Sequence, residues 1–96
     1  MKKVLVTRKL LRSCEDKASK LFNPHFNSND ELYSQKKLIE LSKGCDGILS
    51  SLTDKIDKEI IEKLPETVKI ISNFAVGFGN IDIEAAKKRN IIVTNT

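Results

Sequence analysis

The chain has 96 residues, 40% of them hydrophobic and 31% charged, which suits one globular domain and excludes a disordered segment. Its net charge of +4 sits in short, separated clusters (Lys2-Lys3, Lys36-Lys37 and Lys87-Lys88-Arg89), and aromatic residues make up only 5%. A basic stripe interleaved with aromatics is therefore missing, and no nucleic-acid partner is expected. No apolar run approaches the roughly 20 residues of a membrane span, and Val4-Leu5-Val6 is too short for a signal-peptide core, so the expectation is a cytoplasmic chain with no membrane partner.

In chain order, Val4-Leu5-Val6 reads as a short parallel strand buried on both faces. Leu11, Cys14, Ala18, Leu21 and Phe22 then recur at helical spacing, with Arg12, Glu15, Asp16 and Lys20 on the opposite side. Asn23-Pro24 ends that helix, because proline moves the residue before it out of the helical region. His25-Phe26-Asn27 reads as a short edge strand, and His25 as an exposed residue with no carboxylate at a spacing that would make it catalytic. Ser28-Asn29-Asp30 is loop. Ser34 is suited to cap a helix over 35–43, and Gly44 to stop it. Residues 46–50 form the next strand, followed by Ser51-Leu52-Thr53-Asp54. Asp57 caps a helix over 58–64 that Pro65 closes. Residues 68–72 are a strand. Asp82 caps a helix over 83–89, Asn90 suits the left-handed position after it, and 91–93 are the last strand.

Neither Cys14 nor Cys45 belongs to a CxxC pair, and His25 is the only histidine. A zinc site wants about four such ligands, so no metal is expected and the thiols are read as reduced.

Strict alternation of strands and helices with short connections implies a parallel sheet with helices on both faces. The expected fold is a flavodoxin-like doubly wound domain of five parallel strands in the order 2-1-3-4-5. Ligands of such sheets bind at the carboxyl ends of the strands. Three connections meet there: Thr7-Arg8-Lys9, 50–54, and 73–80. The third carries Gly77 and Gly79 between an apolar strand and a helix. Glycine lets another group approach the backbone closely, and successive N–H groups in such a turn make a concavity suited to an anion. A tight turn without ligand is the alternative reading of the same spacing.

Asn73-Phe74-Ala75-Val76-Gly77-Phe78-Gly79-Asn80-Ile81-Asp82, followed by 91–96, resembles the substrate loop and hinge of the D-isomer-specific 2-hydroxyacid dehydrogenases, with glyoxylate and hydroxypyruvate reductases as the nearest branch. Residues 51–57 and the opening 3–8 fit the same pattern. The resemblance implies that the backbone N–H groups of Val76 and Gly77 hold a substrate carboxylate, and that Leu52 and Thr53 wall the pocket. It implies NAD(P) for a full-length enzyme and a small 2-oxo or 2-hydroxy acid as a weakly held partner. Ser51, Thr53 and Asp54 can equally be turn formers, and for Asp54 that reading is preferred.

The chain departs from the family at Gly79, where many members carry a larger, often acidic residue. The family's catalytic arginine, glutamate and histidine, and its glycine-rich dinucleotide fingerprint, come from later in the chain. No G-x-G-x-x-G occurs in these 96 residues. Residues 1–96 are thus expected to be the N-terminal part of a substrate-binding domain, without catalytic residues, bound cofactor or nucleotide-binding domain, and inactive alone. A fragment, a truncated product and a natural short protein fit equally.

Two rivals share the topology. A signalling receiver needs clustered acids after strand 1 and an aspartate ending strand 3, where this chain has Thr7-Arg8 and Ser50-Ser51. A stand-alone interaction or small-anion-binding module without enzymatic activity is the other. Counting layers adds one expectation. A fifth helix, which would complete one face of the sheet, does not occur before Thr96. Apolar side chains from Ile48 or Leu49, Ile70 or Ile71, and Ile91 or Ile92 should then lack cover, and a two-fold homodimer should bury this face or exchange a terminal element.

Overall fold

The computed structural model describes residues 2–8, 12–27, 33–51, 54–74 and 80–95. Strands β1 (Lys3–Val6), β2 (Asn23–His25), β3 (Gly47–Ser51), β4 (Ile70–Phe74) and β5 (Ile92–Asn95) alternate with helices α1 (Arg12–Leu21), α2 (Gln35–Leu41), α3 (Lys58–Lys63) and α4 (Ile83–Lys88). The strands form one parallel sheet in the order β2-β1-β3-β4-β5, as expected. The step from β1 to β2 runs opposite to the steps toward β5. Right-handed crossovers therefore put α1 on one face and the other three helices on the other.

Three helices start where the sequence placed them. Ser34 accepts from the Lys37 amide at 3.2 Å, Asp57 from Ile60 at 3.1 Å and Asp82 from Ala85 at 3.0 Å. Helix α4 ends at Lys88, one residue short of the expected limit, but the left-handed turn after it is as read. Asn90 takes φ 59°, with its amide donating to Lys87 O at 3.0 Å and that of Ile91 to Ala86 O at 2.9 Å, a Schellman closure. Helix α2 stops two residues earlier than expected, at Leu41, and a turn reaches Gly44 at φ 79°.

Several strand limits differ from the sequence reading. The edge strand expected at His25-Phe26-Asn27 lies instead at Asn23–His25, because the Asn23 amide already donates to Lys2 O at 2.9 Å. Alternation then turns the nitrogen of Pro24 away from β1, where a missing N–H costs nothing on an edge strand. Asn27 is not in a strand but buried, with its Nδ2 donating to Thr7 O at 2.9 Å. The strand expected over 68–72 runs over 70–74, since Val68 is tied into a turn by its 3.1 Å bond to Pro65 O. Ile91 closes α4, so β5 begins at Ile92 and continues to Asn95. Strand β3 is offset by one residue, at 47–51 rather than 46–50. The expected loop Ser28-Asn29-Asp30 lies outside the described residues, as do the side chains of Leu11, Cys14, Ala18 and Leu21 that carry the apolar side read for α1.

Register settles which face each strand residue occupies. Leu5, Ile48, Ile71 and Val93 form one row across the sheet. The first three are fully buried beneath α2, α3 and α4, in a cluster with Leu38, Ile60, Ile61, Ala85 and Ala86. The neighbouring row, Val4, Gly47, Ile70 and Ile92, points to the other face. There Ile70 is 39% and Ile92 62% exposed. An apolar groove of about 280 Å³ runs over this face, lined by Val6, Phe22, Leu49 and Ile70 among others. The alternatives left open in the sequence are thus resolved. Leu49, Ile70 and Ile92 face the open side, while Ile48, Ile71 and Ile91 are core.

Candidate functional site

The next row toward the carboxyl ends joins Ser50, Asn73 and Asn95. Ser50 and Asn73 are buried polar side chains on the helix-covered face, and Ser50 Oγ donates to Asn73 Oδ1 at 2.9 Å. They lie where β3 and β4 run out into their loops. The Asn73 Nδ2 donates to Asn80 Oδ1 at 2.9 Å, so the residues flanking segment 74–79 are joined by a side-chain bond. Asn80 Nδ2 in turn donates to Ser51 O at 3.0 Å and Asp54 O at 2.8 Å.

Asp54 is also buried, and it behaves as the turn former it was read to be. Its amide donates to Ser51 O at 3.0 Å, while its Oδ2 accepts from the Ser51 amide at 2.9 Å and the Ser51 hydroxyl at 3.3 Å. The buried Thr7 hydroxyl donates to the same oxygen, which ties the end of β1 into the group. Among the described residues every buried side-chain nitrogen or oxygen has a partner. The carboxyl edge is therefore a polar frame that joins the described residues on either side of two loops.

Leu52, Thr53, Val76 and Gly77, the residues read as binding substrate, lie outside the described residues. The described residues on either side of them, Ser51 and Asp54 for one loop and Asn73 and Asn80 for the other, come together at one sheet edge. Sequence reasoning passed over the structural part played by Thr7, Asn27, Ser50 and Asn80. For Thr7 and Ser50 the available signal was a polar residue at the carboxyl end of an otherwise apolar strand, while Asn27 and Asn80 lie outside the strands and carried none.

His25 is exposed on edge strand β2, as read. Cys45 is a buried free thiol just before β3, at the opposite end of the sheet, and its Sγ contacts Leu41 O at 3.6 Å. Burial pushes its pKa up, with Lys3 opposing and Asp46 adding to the shift. A protonated, enclosed thiol is a poor nucleophile. Among the described residues no group of three or more His, Cys, Asp or Glu side chains could hold a metal ion, and no helix is long and apolar enough to cross a membrane.

Fold and site together define an open parallel α/β domain whose carboxyl edge carries the connections after β1, β3 and β4. Residues 4–96 match the model of the D-isomer specific 2-hydroxyacid dehydrogenase catalytic domain, and the chain belongs to that family. It is 39% identical over 94 residues to a glyoxylate reductase of Korarchaeum cryptofilum, covering 98% of this chain and 28% of that protein. A solved protein from Pyrococcus horikoshii superposes with a TM-score of 0.87 at 35% identity, covering 100% of this chain and 28% of the other. A 3-phosphoglycerate dehydrogenase of Entamoeba histolytica, solved with bound NAD+, superposes with a TM-score of 0.76 at 28% identity, covering 99% and 32% respectively. The chain thus spans under a third of the length of these relatives.

Proposed function

We propose that these 96 residues form the substrate side of an NAD(P)-dependent D-2-hydroxyacid dehydrogenase, in which hydride passes between nicotinamide and a small 2-oxo or 2-hydroxy acid. The observation that carries this reading is the polar frame at the carboxyl edge, which brings Asn80, at the end of the glycine-bearing segment, against Ser51 and Asp54 within a family-matched fold. On this reading the backbone N–H groups of Val76 and Gly77 chelate the substrate carboxylate, and Leu52 and Thr53 wall the pocket. Amides from one turn can hold a carboxylate without a fixed cation, and a shallow site of this kind binds weakly.

A dinucleotide does not fit the residues present. The connection after β1 begins Thr7-Arg8-Lys9-Leu10-Leu11-Arg12, with no glycine, and the Thr7 side chain is committed to Asp54. Hydride chemistry belongs to the cofactor, so this chain's share is binding and orientation. The test is an amide-shift titration with glyoxylate. Movement centred on residues 52–53 and 76–79 at millimolar ligand is expected. Movement elsewhere with none there would overturn the reading and favour a stand-alone module. The purified chain mixed with glyoxylate and NADH or NADPH should show no turnover above a buffer blank.

The open sheet face suits a second copy of this chain. Among the described residues no Lys, Arg, Asp or Glu lines its groove, so an apolar contact between two copies can form there. Identical apolar faces related by a two-fold axis are self-complementary.

A further inference from the structure

We propose that Asn80 is a positioning residue whose side chain clasps the loops after β3 and β4 into one unit. This rests on the substrate reading above, since those loops carry Leu52 and Thr53, and Val76 and Gly77. Neither Asn73 nor Asn80 can move a proton or a hydride, because a carboxamide does not titrate. What they can do is fix geometry.

Asn73 and Asn80 bracket the glycine loop, and their carboxamides pair with each other. Asn73 Nδ2 donates to Asn80 Oδ1 at 2.9 Å, and Asn80 Nδ2 approaches Asn73 Oδ1 at 3.2 Å. The shorter bonds of Asn80 Nδ2 go to Asp54 O, at 2.8 Å, and Ser51 O, at 3.0 Å. Those two carbonyls flank Leu52 and Thr53. One side chain therefore touches both flanks of one loop, while bonding across the other to Asn73. Its backbone adds a second tie, since the Ile56 amide donates to Asn80 O at 2.7 Å and the Asp82 amide to Ile56 O at 2.9 Å. Below the clasp, Asn73 is fully buried and held by Ser50.

Chemistry dictates an amide here. Two carbonyl oxygens require two hydrogens from one nitrogen, and Asn73 Nδ2 requires an acceptor beside it. Aspartate would keep the shape but set a charged oxygen against two carbonyl oxygens. Alanine would remove the bonds that the Asn80 side chain makes to Ser51 O, Asp54 O and Asn73 Nδ2. Either change should loosen the two loops from one another, while the backbone tie at Ile56 and β4 beneath them stay in place.

The test compares the 15N-labelled chain with Asn80→Ala and Asn80→Asp. Ile60→Val, in the core under α3, serves as a control for lost global stability. Amide hydrogen exchange is read at Asp54 and Ile56, at 74–80, and at Ile71 as a strand reference. Glyoxylate is titrated in parallel and read at Val76 and Gly77. In both Asn80 variants the loop amides should exchange roughly tenfold faster relative to Ile71, and glyoxylate should bind roughly tenfold more weakly. Ile60→Val should leave the loop-to-strand ratio unchanged, because global opening exposes both alike.

A ratio in the Asn80 variants equal to that in Ile60→Val overturns the clasp. Faster loop exchange with unchanged glyoxylate affinity overturns its positioning role. Absence of glyoxylate shifts at Val76 and Gly77 in the parent chain overturns the substrate reading, while the exchange ratio still decides the clasp. Should Asn80→Ala not fold, Asn80→Ser, which retains one donor, takes its place in the comparison.

Discussion

Ile70 and Ile71 are neighbours of the same type in one strand, and replacing each with alanine should have very different consequences. Ile71 is fully buried between β3 and β5, under the helix layer, with Ile48 and Val93 beside it in register. Truncating such a residue removes its transfer free energy and leaves a cavity, about 3–4 kcal/mol in total. Ile70 is 39% exposed on the open face, where water fills the space left behind. Only part of the roughly 0.8 kcal/mol per buried methylene is lost there, about 1 kcal/mol overall. A domain of this size has a total stability of roughly 5–14 kcal/mol. Ile71→Ala should therefore lower the thermal midpoint by more than about 12 °C, and Ile70→Ala by about 4–8 °C. Urea and thermal unfolding followed by circular dichroism measure both. Equal losses at dilute concentration would refute the assignment of faces. A loss at Ile70 that grows with protein concentration would instead report burial of that face by association.

Light scattering over a dilution series should show the chain as a dimer that dissociates on dilution, and Ile92→Lys on the open face should make it monomeric. A folded monomer at high concentration would count against self-association. Arg89 donates to the final carbonyls of α3, Ile61 O at 2.6 Å and Leu64 O at 2.8 Å, so Arg89→Ala should cost about 1–3 kcal/mol in urea unfolding. Arg89→Lys should recover only part, because one planar guanidinium nitrogen aims its two hydrogens at both carbonyls and a flexible ammonium does not, and full recovery would contradict that reason. Because burial raises the Cys45 pKa, the unfolded chain loses that thiol proton first as pH rises. The stability it contributes is complete below the ordinary thiol pKa and is lost as pH climbs through the folded value. Iodoacetamide labelling resolved by peptide mass should find Cys45 slow to react until that range, and labelling at neutral pH as fast as in urea would contradict it.

Local chemistry made much of the fold legible. Ser34, Asp57 and Asp82 each precede a helical run, and a cap needs only its own side chain and the amide three residues on. Asn90 tolerates the left-handed turn that ends α4 for an equally local reason. Strand limits were less legible, because a strand lasts as long as its neighbour pairs with it. Phe74 belongs to a strand only through Ser51, a partner distant in sequence, whereas Val68 is held in a turn by Pro65 close by.

The glycines between β4 and α4, the family pattern and the strand–helix alternation that led to a doubly wound sheet were all present in the sequence. What only the tertiary structure decided was the face of each isoleucine pair and the company of each polar residue. Ile70-Ile71 and Ile91-Ile92 read alike in sequence, and pairing register alone sends one member of each to the core. Thr7, Asp54, Ser50, Asn73 and Asn80 lie on four separate stretches of chain. A hydrogen bond between them has no signature in spacing, because it exists only once the parallel strands have set their carboxyl ends side by side.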